Sequence, residues 1–271
     1  MKIVYAAGQT CNQFWIYSNF IANSIEKKEK FAIWVPDITF RYFPNLSKSE
    51  FITFPLYSET LAKIFGYNRY IHFLSNFFAN KYSILFLKLF LNTIPNICFI
   101  NADVEIEKSK FRVKHLNKIK LVFKPDDSII IEVEEIFAKN REQYSLVIGI
   151  HIRHGDYRTF NNGKYFYTLN EYHVIMQKIA ALFPKNKIAF LIASNENLDL
   201  STFANLNYFV IRNSSTVKDL YGLSKCDYII GPPSTFSGWA SLYGNVPIHF
   251  IENIKDNFTV NSFKYINEIW L

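Results

Sequence analysis

Leu146-Val147-Ile148-Gly149-Ile150 is an uninterrupted apolar run, and His151-Ile152-Arg153-His154-Gly155-Asp156-Tyr157 follows it directly. A short apolar run of this kind predicts a strand buried on both faces of a parallel sheet. The charged residues then leave the carboxyl end of that strand, where open α/β sheets bind their ligands. Because side chains alternate along an extended chain, His151 and Arg153 are expected on one face.

The sequence after residue 145 alternates regularly between strands and helices. Thr168 to Glu171 has the pattern of a capping box and predicts the start of a helix. Further helices are predicted at Val217–Leu223 and Thr235–Tyr243. Strands are predicted at Ile188–Ile192, Tyr208–Ile211, Tyr228–Ile230 and Val246–Phe250. This order is typical of a doubly wound, parallel α/β domain.

The first part of the chain begins with a βαβ unit. Ile3–Ala7 and Phe31–Val35 are predicted strands, and the helix between them has an apolar stripe. Less regular elements follow, with helices near Glu59–Phe65 and Phe73–Leu91 and a strand at Ile97–Asn101. Pro125-Asp126-Asp127 then starts a predicted helix that continues to about Lys139. The pattern changes near residue 141, which predicts an N-terminal domain over residues 1–140 and a C-terminal domain over 141–271.

The composition is that of a folded, basic protein, with 271 residues, 49% hydrophobic residues, 20% charged residues and a net charge of +7. The aromatic share is high at 18%, and rings are concentrated between Tyr57 and Phe99. The cysteines Cys11, Cys98 and Cys226 form no C-x-x-C pair, which argues against a disulfide framework or a zinc site. No apolar window reaches the roughly 20 residues of a membrane span. A cytoplasmic location is therefore expected.

A basic run from Lys108 to Lys124 contains seven Lys or Arg residues. A nucleic-acid partner is not expected, because no helix-turn-helix, RNA-binding or zinc signature accompanies the charge. Two alternatives remain open for this run: a solvated basic face, or peripheral contact with an anionic membrane at its inner face.

Three further segments have the residue types of a binding site. Gly231-Pro232-Pro233-Ser234-Thr235-Phe236-Ser237-Gly238-Trp239 joins a strand to a helix, whose N-terminus can hold an anion or can be simply capped. Gly8 to Gln13 follows the first strand and is rich in amides. Asp219 could accept hydrogen bonds from a guanine edge, or could complement a helix dipole.

Together these segments resemble the superfamily of fucosyltransferases that use GDP-fucose, which includes bacterial α-1,2-, α-1,6- and protein O-fucosyltransferases. Three motifs carry the resemblance: His151-x-Arg153-x-Gly155-Asp156-Tyr157, Ser224-x-Cys226-Asp227-Tyr228-x-Ile230-Gly231-x-x-Ser234-Thr235-Phe236-Ser237-x-Trp239-Ala240, and Gly8 through Gln13 with the aromatic helix after it. The resemblance implies an α/β fold of the GT-B type, with two facing Rossmann-like domains. The N-terminal domain would be the acceptor side, and the C-terminal domain would bind the nucleotide sugar.

The resemblance also implies roles for individual residues. In the C-terminal domain, Arg153 would hold the β-phosphate, His151 would lie near guanosine and Asp219 would contact guanine. Side-chain and backbone donors to the diphosphate would come from Ser234, Thr235, Phe236 and Ser237. Asn12 and the backbone near Gly8 would close the donor site from the N-terminal domain. Asp156 would orient the acceptor, act as a base or form a structural ion pair.

The main departure from the family pattern is His154, which stands where the family has a second Arg. If His154 supplies the missing cation, activity should fall between about pH 6 and 8 as it loses its proton.

The expected reaction is metal-independent, inverting transfer of fucose from GDP-fucose to a hydroxyl of a glycan acceptor, in surface polysaccharide or glycan synthesis, with no cofactor. Two alternatives stay open: a GT-B transferase that uses another sugar nucleotide, and a catalytically dead module that binds a sugar or nucleotide.

Overall fold

The computed structural model describes residues 2–6, 8–34, 38–54, 58–78, 80–101, 110–255 and 257–270. Outside these ranges lie Ala7, Val35, Tyr57, Ala79 and Lys108, which belong to the predicted elements and segments. The chain forms two compact units, residues 1–126 and 127–271. None of the helices in the described ranges has the length and the apolar composition that a membrane-crossing segment requires.

The N-terminal unit contains a parallel sheet of four strands in the order β3-β2-β1-β4. The strands are β1 (Lys2–Tyr5), β2 (Phe31–Ile33), β3 (Ile52–Thr53) and β4 (Cys98–Asn101). Its helices are α1 (Thr10–Lys27), α2 (Pro44–Lys48), α3 (Glu59–Phe65), α4 (Tyr67–Phe78), α5 (Lys81–Leu91) and α6 (Leu116–Val122).

Alternation along β2 directs side chains to two different layers of this unit. The Phe31 ring packs on Tyr17 and Phe20 of α1, with ring centroids 6.3 and 5.5 Å away. The next residue, Ala32, belongs instead to a core cluster with Leu74 of α4 and other residues of helices α3 to α5. Much of the high aromatic content of the sequence is therefore used to fill the layer beneath α1.

The single helix predicted at Phe73–Leu91 is two helices in the structure. Helix α4 begins earlier, at Tyr67, and α5 begins at Lys81. Asn80 caps α5 by accepting a hydrogen bond from the Ser83 N–H at 2.9 Å. An Asn side chain that bonds to the backbone in this way favours a helix start over a helix interior.

The C-terminal unit contains a parallel sheet of five strands in the order β7-β6-β5-β8-β9. The strands are β5 (Leu146–Ile152), β6 (Ile188–Ser194), β7 (Tyr208–Phe209), β8 (Tyr228–Gly231) and β9 (Ile248–Phe250). Its helices are α7 (Asp127–Arg141), α8 (Leu169–Leu182), α9 (Thr216–Leu223), α10 (Thr235–Gly244) and α11 (Ile266–Ile269). The parallel sheets of the two units confirm the predicted α/β class.

The division between the units falls at Asp126/Asp127, before α7, and not near residue 141 as the sequence suggested. Helix α7 belongs to the C-terminal unit because it packs on α9. Its Glu132 pairs with Lys218 of α9 at 2.7 Å, and its Phe137 ring meets Phe209 of β7 edge-on at 5.7 Å.

Strand β5 separates two layers of the C-terminal unit. Ile148, Ile150 and Ile152 join a core cluster with residues of α8. Gly149, on the other face, leaves room for Leu223 of α9, since an added Cβ there would lie 2.6 Å from the Leu223 Cδ2. The predicted capping box opens α8, where Glu171 accepts from the Thr168 N–H at 2.7 Å and the Glu171 N–H donates back to the Thr168 hydroxyl at 3.3 Å.

Both sheets change direction at their first strand. In the C-terminal unit the chain proceeds outward from β5 through β6 to β7, and then returns to β8 and β9 on the other side. In the N-terminal unit β1 lies between β2 and β4 in the same way. Ligands of open α/β sheets bind at such switch points. The fold therefore marks the carboxyl ends of β5 and β8, and separately that of β1, as places for a site.

Candidate functional site

The two strongest sequence motifs leave adjacent strands of the C-terminal unit. Strands β5 and β8 pair in parallel, with Ile150 opposite Ile230. At the end of β8, a Cβ on Gly231 would lie 2.6 Å from the carbonyl oxygen of His151. Glycine thus permits the close approach that brings the histidine and arginine motif beside the serine and threonine motif.

Tyr157 connects the two motifs directly. Its hydroxyl donates a hydrogen bond to the carbonyl oxygen of Pro233 at 2.6 Å. Burial raises the pKa of Tyr157 above its ordinary value, so the hydroxyl keeps the proton that it donates. The loop after β5 is therefore fixed to the loop before α10.

Arg153 lies just beyond β5 and forms a bidentate ion pair with Asp156. Its Nε donates to Asp156 Oδ1 at 2.9 Å, and its Nη2 donates to Oδ2 at 3.0 Å. The guanidinium also lies over the ring of Tyr157, 5.5 Å from the centroid. The side chain of Arg153 is 12% exposed and that of Asp156 is 51% exposed. The pair thus holds a largely desolvated cation in a fixed orientation, which suits recognition of a phosphate.

His151 is a buried, neutral imidazole at the same strand end. Burial, and then the charge of Arg153, lower the pKa of His151 to about 3. Within the described part of the chain, its Nδ1 is buried without a hydrogen-bond partner. The ring lies 5.1 Å from that of Phe236 at the start of α10. An orphaned polar atom in this position is explained if a ligand completes its hydrogen bonding.

The N-terminus of α10 is capped as the sequence suggested. Ser234 accepts a hydrogen bond from the Phe236 N–H at 3.2 Å, and Ser237, fully buried, donates to the Ser234 carbonyl at 3.4 Å. Thr235 is the first residue of the helix. The positive end of this ten-residue helix points to the switch point, where backbone N–H groups favour an anion.

His154 lies in different surroundings from those of Arg153. Its ring is buried, with Nε2 2.8 Å from the carbonyl oxygen of Tyr167. The ring also packs at 4.7 Å from Phe166 and at 6.4 Å from Tyr172 of α8. A hydrogen bond to a backbone carbonyl inside an aromatic cluster favours a structural role over that of a second cation at a phosphate.

Asp219 is a buried carboxyl group on α9, the helix that packs against α10. Ser214 donates a hydrogen bond to its Oδ1, which partly offsets the effect of burial. Burial raises the pKa of Asp219 from 3.8 to about 6. A buried carboxylate that is ionised at neutral pH is costly, and such a group is a candidate for ligand recognition.

The third predicted segment lies in the N-terminal unit, after β1. Gly8 has a φ of +85°, and a Cβ there would lie 2.7 Å from Asn12 Nδ2. Gln13 donates from Nε2 to the Gly8 carbonyl at 3.2 Å, which shapes the loop. Among the described residues, Gln13 Oε1 is buried and has no hydrogen-bond partner. Gly8 and Asn12 therefore belong to a tight, polar loop at the switch point of their own sheet.

Asn195, which directly follows β6, supports the site. Because Ser194 pairs with Ile152, Asn195 follows β6 beside the loop that follows β5. Its Oδ1 accepts the His154 N–H at 3.0 Å. Gly155 has a φ of +35°, and a Cβ there would come within 2.5 Å of Asn195 Nδ2. The amide thus fits closely against the turn that orients Arg153, and only strand register reveals this contact.

Sequence reasoning gave no role to Phe160, which lies beside this turn. Its ring stacks on Tyr157 with a centroid distance of 5.2 Å, yet it is 53% exposed.

In the ranges that the structure covers, no group of three or more His, Cys, Asp or Glu side chains is arranged to hold a metal ion.

Comparison with known proteins identifies the family and the fold of the chain. The family model described as glycosyl transferase family 11 matches residues 104–267, more than half of the chain. A search of curated proteins finds no match. The fold is similar to that of the fucosyltransferase NodZ from Bradyrhizobium, with a TM-score of 0.57 and 15% identity over 94% of this chain and 96% of that one. It is also similar to POFUT1 solved with GDP-fucose, with a TM-score of 0.52 and 10% identity over 90% and 94% of the two chains. These likenesses confirm the predicted GT-B type of α/β fold.

Proposed function

Since the chain belongs to glycosyl transferase family 11, and is therefore a glycosyltransferase, we propose that it transfers fucose from GDP-fucose to a hydroxyl of a glycan acceptor. The observation that carries the proposal is the pairing of β5 with β8, which joins the Arg153 loop to the N-terminus of α10. A fixed guanidinium and a helix N-terminus at one switch point suit a nucleoside diphosphate. The similar NodZ structure was soaked with GDP-fucose, which supports the choice of donor.

The diphosphate is proposed to lie between Arg153 and the first turn of α10. Arg153 contacts the β-phosphate, while Ser234, Thr235, Phe236 and Ser237 provide the capped helix end and its backbone donors. His151 meets the nucleoside through the Nδ1 that the protein itself leaves without a partner. Its neutrality suits this role, because a pKa of about 3 keeps it uncharged throughout the physiological range.

Asp219 is proposed to recognise guanine. A guanine edge presents N–H donors, and an ionised carboxylate accepts them with charge-assisted hydrogen bonds. For Asn12 and the Gly8 backbone, in the loop after β1, contact with the donor is proposed from the family resemblance alone. Assigning the nucleotide sugar to the C-terminal unit and the acceptor to the N-terminal unit is part of the same proposal.

The reaction is proposed to be an inverting displacement. The acceptor oxygen attacks the anomeric carbon from the face opposite GDP, the bond between fucose and the β-phosphate oxygen breaks, and GDP leaves with the electron pair of that bond. Arg153 stabilises the negative charge that develops on the diphosphate, and its prior orientation by Asp156 means that little reorganisation is needed.

Asp156 is proposed mainly as a positioning residue, because both of its oxygens are engaged by Arg153. Because the side chain of Asp156 is 51% exposed, we also propose that its carboxylate accepts the proton that the acceptor hydroxyl loses during the attack. His154 is proposed to stabilise the loop through the Tyr167 carbonyl and not to act as the second cation of the family pattern. The transfer is proposed to need neither a metal nor a cofactor, and to serve surface polysaccharide or glycan synthesis.

A panel of nucleotide sugars tests the donor. The melting temperature of the purified protein is measured with GDP-fucose, GDP-mannose, UDP-galactose and UDP-N-acetylglucosamine, because a ligand stabilises the native state according to its affinity. We expect GDP-fucose to give the largest increase. A larger increase in melting temperature with a UDP-sugar would contradict GDP-fucose as the donor and would indicate that the protein uses the UDP-sugar. Stabilisation by GDP-fucose without release of GDP for any acceptor would indicate a binding module instead.

Product analysis tests the stereochemistry. Fucose is β-linked in GDP-fucose, so inversion gives an α-linked product, which the anomeric proton coupling in a magnetic resonance spectrum identifies. Acceptors that end in galactose or in N-acetylglucosamine are compared, with EDTA present throughout. A β-linked product, or a reaction abolished by EDTA, would contradict the proposed mechanism.

A further inference from the structure

Helix α5 is apolar on both of its faces. On the inner side, Ile84 is part of the core of the N-terminal unit, and Leu87 and Leu91 pack against that core. The opposite side, here called the outer face of α5, consists of Tyr82, Leu85, Phe86, Leu89 and Phe90, which are between 53% and 83% exposed. Their spacing of three and four residues places them on one side of the helix. A helix that is apolar all round is normally buried, so this face is expected to have a cover.

The neighbouring helices also expose large apolar side chains. Helix α4 packs against α3 and α5. Ile64 and Phe65 of α3 are 69% and 55% exposed, and Phe73 of α4 is 57% exposed. On α5 itself, the rings of Phe86 and Phe90 stack in parallel with their centroids 6.0 Å apart. Soluble monomers rarely expose contiguous apolar patches of more than a few hundred Å². The outer face is therefore best explained as an interaction surface.

The charge around this surface selects its partner. Helices α4 and α5 contain no Asp or Glu but contain Arg69 and Lys88, and α3 contains one acid, Glu59, and one base, Lys63. A second copy of the chain would bring the same positive charge, and the two faces would repel each other. An anionic lipid surface offers both an apolar interior for the rings and negative headgroups for the cations.

We propose that the outer face of α5 binds peripherally to an anionic lipid bilayer. The aromatic and leucine side chains enter the boundary between headgroups and acyl chains, and the nearby cations lie at the headgroup level. If the proposed fucose transfer is correct, this attachment holds the N-terminal unit where a lipid-linked glycan presents its hydroxyl groups. The bilayer contact itself does not depend on that reaction.

Vesicle binding tests the proposal with the full chain. Sedimentation is compared for vesicles of phosphatidylcholine alone and of phosphatidylcholine mixed with phosphatidylglycerol, at low and high salt. We expect strong binding only to the anionic vesicles, and weaker binding at high salt, because salt screens the lysine and arginine charges. Phe86→Ser combined with Leu89→Ser should lower the partition coefficient by at least ~10-fold, since two apolar side chains no longer leave water.

The matched control removes two exposed apolar side chains from the other unit. Ile131 and Val174, on α7 and α8, are 56% and 49% exposed. Ile131→Ser combined with Val174→Ser should leave vesicle binding unchanged. Failure of the wild type to bind anionic vesicles, or equal binding by the Phe86/Leu89 variant, would overturn the proposal.

Light scattering and nucleotide binding separate the remaining outcomes. A dimer that the Phe86/Leu89 variant converts to a monomer, without vesicle binding, would assign the face to a second copy and would also overturn the bilayer proposal. Stabilisation by GDP should be the same in the wild type and both double variants. If GDP did not stabilise the wild type, the proposed donor site would be refuted, and the conclusion from vesicle binding would be unaffected.

Discussion

Among single side chains, Asp219 offers the clearest separation of function from stability. Its carboxyl is buried, and its pKa is raised to about 6 from 3.8. The group therefore stabilises the fold in its protonated form, and this contribution is lost as the pH rises through about 6. A residue that weakens the fold at neutral pH is expected to have another use.

Asp219→Asn should raise the free energy of unfolding at about pH 8 by on the order of 1–3 kcal/mol and have little effect at about pH 4. The same variant should bind GDP more weakly, because an amide is a poorer acceptor for the guanine donors than a carboxylate. In the wild type, GDP affinity should fall as the pH drops below about 6 and the carboxyl group gains its proton. Urea unfolding and calorimetric titration at both pH values measure these effects. Unchanged GDP affinity in the variant would assign Asp219 to the fold alone.

For His154, substitution is expected to lower the free energy of unfolding, whereas substitution of Asp219 raises it. His154→Phe keeps a ring against Phe166 but removes the hydrogen bond to the Tyr167 carbonyl, so the free energy of unfolding should decrease by about 1–3 kcal/mol. The dependence of kcat on pH between about 6 and 8 should stay that of the wild type, because a structural ring takes no part in the reaction. If the variant instead abolished a decline of kcat over that range, His154 would be the second cation that the motif suggested.

At the scale of elements, the approach of β5 and β8 is the feature that assembles the site. Gly231→Ala places a Cβ 2.6 Å from a backbone oxygen, that of His151, and 2.9 Å from its Cβ. Gly238→Ala, on α10, brings a Cβ to 2.4 Å from the ring of Trp270. The Trp270 contact is with a side chain, which can shift more easily than the backbone of a paired strand.

We therefore expect Gly231→Ala to lower both the melting temperature and the affinity for GDP, because the strands must separate at the switch point. Gly238→Ala should cost less stability and leave GDP affinity nearer to that of the wild type. Thermal melts with and without GDP compare the two variants. Equal losses in both would mean that the distance between β5 and β8 has no special importance.

Elements defined by local patterns were predictable from the sequence. The apolar run at residues 146–150, the capping box at Thr168 and the strand before Gly231 each have a local signal, and the structure confirms them. The resemblance to fucosyltransferases is likewise confirmed at the level of the family. Helix α6 was not predicted. Its buried Ile119 is surrounded by lysines in the sequence, and a segment with so many charges shows no clear apolar stripe.

Features that depend on distant parts of the chain were not predictable. The position of the His154 ring is set by Phe166, Tyr167 and Tyr172, and the motif itself contains no sign of them. The role of Asn195 follows from the register of β6 against β5. The boundary between the units depends on contacts of α7 with α9, such as Glu132 with Lys218.

At the scale of the whole molecule, the high aromatic content has two separate explanations. In the N-terminal unit, rings such as Phe14, Phe43 and Phe123 form a packed layer beneath α1, with centroids 4.5 to 4.9 Å apart. The rings on the outer face of α5 contribute little to that layer, and the proposed bilayer contact gives them a use. The net charge of +7 agrees with an anionic partner of this kind.

In the proposed reaction, Arg153 acts on the leaving diphosphate, and the other residue roles depend on this one. The most direct test is the rate of GDP release from GDP-fucose, with saturating acceptor and EDTA, for the wild type and Arg153→Ala. We expect acceptor-dependent release by the wild type and a kcat at least ~10²-fold lower in the variant. Equal rates in the two proteins, with the variant folded and able to bind GDP, would contradict the proposed role of Arg153 in stabilising the leaving diphosphate.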